Sequence, residues 1–112
     1  MAMLLQRVAN GADAMSAREA LRIATRGGAE VLGRDDCGQI AVGKRADIAV
    51  WDMSGVEAAG NWDAGALLLA GPTRVRDLFV EGRQVVRDGT LTTLDVPRAV
   101  EAQNRRALAL MG

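Results

Sequence analysis

The sequence predicts an α+β domain, on two observations. Apolar spacing of helical period, with recognisable helix starts and stops, occupies the chain up to Gly33. Beyond it, short runs rich in Val, Ile and Thr are punctuated by Glu81-Gly82 and Asp88-Gly89, and one last capped helix closes the chain. Helices, then strands, then a helix is a segregated order, which favours α+β over an alternating α/β layout.

Taken in order, Leu4, Leu5 and Val8 lie at helical spacing and Asn10-Gly11 ends the run. This segment reads as the last turns of a helix that begins upstream. Ser16 and Glu19 stand three apart and predict a capping box opening a helix over Ala17–Arg26, with Ala20, Leu21 and Ala24 on one face. Gly27-Gly28 is expected to interrupt it. A short turn over Ala29–Leu32 follows, with Gly33 as its C′ glycine. Asp47–Trp51 reads as a buried strand. Arg74–Val80, Arg83–Arg87 and Thr90–Thr93 read as a three-stranded meander joined by the two tight turns. Between them, Asn61-Trp62-Asp63 caps a helix over Ala64–Leu69 that Gly71-Pro72 breaks. Asp95 caps a final helix from Val96 to Met111, with Pro97 tolerated in the first turn.

Composition narrows the function classes. Fourteen Lys and Arg balance 14 Asp and Glu, which argues against a nucleic-acid partner. No apolar run reaches the roughly 20 residues of a membrane span, and no signal peptide is evident, so no membrane partner is expected. The single Cys37 precludes an internal disulfide and fits a reducing, cytoplasmic setting. Aromatic content is only 3%, thin for an independent core.

Candidate chemistry is sparse. Gly38 to Lys44 satisfies the G-x-x-x-x-G-K part of a phosphate loop, but Arg45 replaces the required Ser or Thr and the helix and strand come in the wrong order. A surface turn with an exposed Lys44 is the preferred reading. Cys37 lacks a base, because the chain has no histidine, and reads as a semi-exposed structural thiol. Asp35, Asp36, Asp47 and Asp52 form the densest carboxylate group; turn and strand-end roles are favoured over acid–base or metal chemistry. Arg18, Arg22 and Arg26 are read as a solvated helix face rather than an anion stripe. Arg105-Arg106 are placed to oppose the dipole of the last helix. Trp51 and Trp62 read as core or interface residues rather than stacking platforms. No catalytic, cofactor-binding or metal-binding residue is therefore assigned in this chain.

Three segments in sequence order carry a family resemblance. They are Ala20-Leu21-Arg22-Ile23-Ala24-Thr25-Arg26-Gly27-Gly28-Ala29-Glu30-Val31-Leu32-Gly33, then Gly38-Gln39-Ile40-Ala41-Val42-Gly43-Lys44-Arg45-Ala46-Asp47-Ile48, then Val80-Glu81-Gly82-Arg83-Gln84-Val85-Val86-Arg87-Asp88-Gly89. Together they resemble the C-terminal signature of the amidohydrolase superfamily. Within it, 8-oxoguanine deaminase and hydroxytriazine aminohydrolase-like enzymes are the most similar; guanine deaminases and S-adenosylhomocysteine or methylthioadenosine deaminases share much of this tail.

The resemblance implies the C-terminal fragment of a (β/α)8-barrel protein. Residues 1–35 would be terminal barrel helices, 36–93 the C-terminal part of a small composite β-sandwich, and 94–112 a closing helix. It implies a parent that is a metal-dependent hydrolase, a purine- or triazine-type aminohydrolase or deaminase using zinc or iron. The metal ligands would lie upstream, leaving this chain inactive alone. The alternative is a free-standing structural or assembly module that pairs with a separate barrel chain. Uncovered strand edges and helix faces lead us to expect self-association into a homo-oligomer unless the missing barrel portion, or a separate barrel chain, covers them.

Overall fold

The computed structural model describes residues 1–71 and 73–112. Helix α1 (Ala2–Asn10) ends where the sequence predicts, at Gly11 with φ 101°. Helix α2 (Ala17–Arg22) carries the complete capping box. Glu19 N–H donates to the Ser16 hydroxyl (3.2 Å), and Ser16 N–H donates to the Glu19 carboxylate (2.7 Å).

The helix does not break at Gly27-Gly28, contrary to the sequence reading. It widens into a π-turn over Ile23–Gly27 and continues as α3 (Gly28–Val31), with Gly27 and Gly28 in ordinary right-handed helical conformation. Two features account for the widening. The Thr25 hydroxyl donates back to the Leu21 carbonyl (2.8 Å), a side-chain bond that competes with the regular helix ladder. Gly38 also presses on this segment from a later loop: a Cβ there would lie 2.9 Å from Ala29 Cβ and 3.0 Å from the Thr25 carbonyl oxygen. The helix ends in a Schellman motif. Gly33 N–H donates to the Glu30 carbonyl (3.0 Å) and Arg34 N–H to that of Ala29 (2.9 Å), with Gly33 at φ 65°.

Four strands form one antiparallel sheet in sequential order: β1 (Ile48–Asp52), β2 (Arg74–Val80), β3 (Arg83–Arg87) and β4 (Thr90–Leu91). The meander is therefore present, with β1 added at its edge. β1 runs one residue later than predicted at each end, Ile48–Asp52 rather than Asp47–Trp51. β4 is only two residues, shorter than the predicted Thr90–Thr93. Both hairpin loops have two residues with positive φ: 52° and 78° at Glu81-Gly82, 46° and 74° at Asp88-Gly89. That is the type I′ geometry matching the right-handed twist of the flanking strands.

Helix α4 (Ala64–Ala70) is capped by Asp63, whose Oδ1 accepts from Gly65 N–H at 2.9 Å. The break expected at Gly71-Pro72 falls partly on residue 72, outside the described residues. Helix α5 (Val96–Leu110) is capped by Asp95 through Arg98 N–H (3.1 Å). Arg105 and Arg106 precede the last turn, so they do not serve the helix end; Arg105 instead pairs with Glu101 at i−4.

Among the described residues the buried hydrophobic core is only Ala29 and Ala58, each 7% exposed. The radius of gyration is 18.4 Å, against about 13 Å for a compact domain of this length. Helices α2 and α4 pack together, but no helix packs extensively on the sheet. Local structure is well formed, while tertiary burial is nearly absent. No described helix is long and apolar enough to cross a membrane.

Candidate functional site

The residues that carry the sequence signature converge on one junction, where the loop after Gly33 ties the helices to the β2–β3 hairpin. Arg34 forks onto Asp36, with Nε donating to Oδ1 (2.9 Å) and Nη2 to Oδ2 (2.8 Å). Arg45 Nε lies 3.8 Å from the same carboxylate, and its guanidinium also pairs with Glu81. The Arg45 backbone N–H donates to the Asp36 carbonyl (2.7 Å). Asp47 then reaches across to the hairpin, its Oδ1 accepting from Glu81 N–H at 2.7 Å, while Gly82 N–H donates to the Ala46 carbonyl (3.0 Å).

Lys44, Arg45, Ala46 and Asp47 thus form a clasp. It explains why Glu81, a residue with a side chain, tolerates the left-handed conformation: both its backbone and its carboxylate are held. The Arg34 hydrogen bond holds the Asp36 carboxyl below its usual range and raises the Arg34 guanidinium in return. Arg34 and Asp36 are each more than a third exposed, so solvent and salt screen the pair and its role is geometric.

The predicted candidates separate rather than assemble. Asp52 accepts from both the N–H and the hydroxyl of Ser54 (2.9 and 2.7 Å), and the hydroxyl bond lowers its pKa. The Lys44 ammonium donates to the Asp35 carbonyl at the surface of the turn, and Lys44 is partly exposed. Gly38–Lys44 lies between α3 and β1 and feeds the strand, so it does not open a helix as a phosphate loop does. Cys37 is half-buried, in a shallow cavity of about 310 Å³ that Arg34 and Lys44 also line. Arg18, Arg22 and Arg26 are exposed, and Arg18 makes a long pair with Asp63 (3.7 Å). Trp62 is 98% exposed, so it is no core residue of this chain. Among the described residues no three Cys, Asp or Glu side chains come together as metal ligands.

One polar centre was not legible in the sequence. Asp77, with a side chain 16% exposed, accepts from Arg76 Nε (2.8 Å), from the Gln84 amide (2.9 Å) and from Asp88 N–H (3.4 Å). A strand carboxylate reads as solvent-facing unless the register that brings Gln84 beside it is known. The Arg76 hydrogen bond lowers the Asp77 pKa more than partial desolvation raises it. A carboxyl depressed in the folded state contributes stability above its unfolded pKa of about 4 and loses it as pH falls through the folded value. Hairpin amide protection is therefore expected to decline below about pH 4. In Asp77→Asn the protection of Asp88 becomes independent of pH in that range, as hydrogen exchange would show.

A groove of about 500 Å³ lies between α1, α2 and α4, lined by Met1, Met3, Leu4, Ala17, Ala20 and Leu69 with Arg7 at its side. It is apolar and brings no nucleophile to a base.

Residues 1–95 match the amidohydrolase family. The chain is 37% identical over 111 residues to 8-oxoguanine deaminase of Pseudomonas aeruginosa, covering 98% of this chain and 25% of that protein. It superposes on a zinc-bound adenosine deaminase from Xanthomonas campestris with a TM-score of 0.82 and 31% identity, over 99% of this chain and 26% of the other. Atrazine chlorohydrolase from Arthrobacter aurescens, complexed with zinc, gives 0.80 and 36% over 93% and 24%. The chain spans about a quarter of the length of each of these proteins.

Proposed function

Because the chain belongs to the amidohydrolase family, we propose that it is the C-terminal packing part of a metal-dependent hydrolase acting on carbon–nitrogen bonds other than peptide bonds, a deaminase of purine or triazine rings. The observation that carries this reading is the clasp. The signature residues Arg45, Ala46, Asp47, Glu81 and Gly82 tie the loop before β1 to the β2–β3 hairpin, and no nucleophile–base pair is among them. The helices would be the last of a (β/α)8 barrel, the sheet one part of a composite sandwich and α5 the closing helix. The barrel portion, on the same polypeptide or on a separate chain, is the partner that completes it.

The residues present do not fit the zinc held by the relatives. The chain has no histidine, and Asp36, Asp47 and Asp52 are engaged as hydrogen-bond acceptors. Metal binding and the reacting groups are accordingly assigned to polypeptide beyond this chain. Its own residues hold the clasp and the hairpin in place against that body. The single Cys37 suits a reducing compartment, and we place the protein in the cytoplasm on that ground.

The test is a chimera in which residues 1–112 replace the matching quarter of the Pseudomonas aeruginosa deaminase. The chimera is expected to bind metal and deaminate 8-oxoguanine, while the 112-residue chain with added zinc shows no turnover. A folded, metal-loaded chimera without activity would sink the reading.

A further inference from the structure

We propose that the arginine row Arg18, Arg22 and Arg26 is a docking site for an acidic helix of a partner protein, one with carboxylates at every fourth position. The spacing alone fits a solvated helix face, and the folded helix adds three observations. First, the three side chains line one shallow depression of about 330 Å³, together with Leu21 and Thr25 and with no carboxylate. Second, Arg22 and Arg26 make no ion pair among the described residues, and Arg18 makes only the long one with Asp63 (3.7 Å). Third, the π-turn over Ile23–Gly27 spans the step from Arg22 to Arg26. In a regular α-helix a row at i, i+4 and i+8 drifts around the axis by about 40° per step. The wider turn takes that drift back, so the row runs more nearly parallel to the axis. Turns of this kind are frequent at functional sites.

The row is placed to stay open. Ala17 and Ala20 of the same helix line the apolar groove toward α1, and the arginines project roughly from the opposite side. Whatever fills the groove leaves them facing outward.

The geometry also selects the chemistry of the occupant. From Arg18 to Arg26 the helix rises about 12 Å, in two steps of about 6 Å. A lone phosphate or carboxylate needs guanidinium groups that converge on it, whereas these stand in a row. Carboxylates four positions apart on a partner helix repeat at the same spacing, and each can take a guanidinium fork. Leu21, half-buried beside the arginines, offers an apolar contact between the charges. Single-stranded RNA would find no aromatic side chain to stack on among the lining residues. A second copy of this chain does not supply the match, because no described helix carries two carboxylates four positions apart.

The probe is a fluorescein-labelled, alanine-based peptide of about 15 residues, with glutamates at every fourth position and leucines beside them. Its control is a scrambled isomer of the same charge. Anisotropy is read on the full 112-residue chain and on the folded chimera; where the chimera does not fold, the chain decides. The patterned peptide is expected to bind both at least about tenfold tighter than the isomer, and to weaken as salt rises. Arg22→Glu is expected to weaken binding about tenfold, and Arg106→Glu, on exposed α5, to leave it unchanged. Replacing the peptide's central glutamate by lysine is expected to restore binding to Arg22→Glu, a readout that a misfolded variant could not give. Equal binding of the two peptides overturns the proposal, as does no binding by either protein. Binding of a single-stranded RNA of matching charge, with the same dependence on Arg22, assigns the row to nucleic acid and overturns it. Peptide binding by the chain that the folded chimera lacks means that the rest of the fold covers the row, and equally overturns it. Turnover by the chimera plays no part in these readings, so this proposal and the catalytic one fail separately.

Discussion

Gly38→Ala is expected to lower the stability of the folded chimera by about 2–4 kcal/mol, the largest effect of any single methyl group added to this chain. Two costs coincide at this position. Gly38 has φ 82°, a conformation that costs a side-chain-bearing residue about 1 kcal/mol or more. The added Cβ would also lie 2.9 Å from Ala29 Cβ, 3.0 Å from the Thr25 carbonyl oxygen and 3.2 Å from Arg26 Cα. None of these is the far end of a flexible side chain, so relief requires the loop to lift off the π-turn. Gly33→Ala is the control. Its φ is 65°, but nothing lies within 4 Å of the added atom, so only the conformational cost applies, about 1 kcal/mol. Denaturant unfolding of the two chimeras side by side measures the difference. Equal losses would mean that the loop does not rest on the helix.

The same contact shows where sequence reading reaches its limit. The capping box at Ser16, the caps at Asp63 and Asp95, the Schellman glycine at Gly33 and both hairpin turns were legible, because each is a bond between residues a few positions apart. The persistence of helix through Gly27-Gly28 was not legible, since the residue that packs against it comes from a later loop. Asp47 reads as a strand end. Its partner, Glu81 N–H, is 34 positions away, and only the sheet register brings the two together. The Asp77 centre fails for the same reason. Asp36, Asp47 and Asp52 each accept hydrogen bonds from groups that the loop and the hairpin bring to them: the Arg34 guanidinium, Glu81 N–H and Ser54.

The 112-residue chain in dilute solution is expected to show no cooperative thermal transition by calorimetry and strong binding of a hydrophobic dye. The reason is a mismatch of scales. The surface left uncovered relative to a compact monomer is about 2,900 Å², more than half of it apolar by the usual composition of protein surfaces. At about 25 cal/mol per Å² the missing burial is several times the 5–15 kcal/mol that normally separates folded from unfolded chains. Caps, hairpin turns and the Arg34–Asp36–Arg45–Glu81 clasp cannot offset it, because each contributes at most a kcal/mol or two before the entropy of ordering is counted. Whatever covers the sheet face and the α1–α2–α4 groove is therefore part of the fold in the thermodynamic sense. Stability becomes linked to the concentration of that occupant, and each tenfold rise in concentration adds about 1.4 kcal/mol once binding is saturating. A sharp, concentration-independent transition in dilute solution would show that Ala29 and Ala58 suffice as a core, and that the exposed apolar faces are tolerated rather than waiting to be covered.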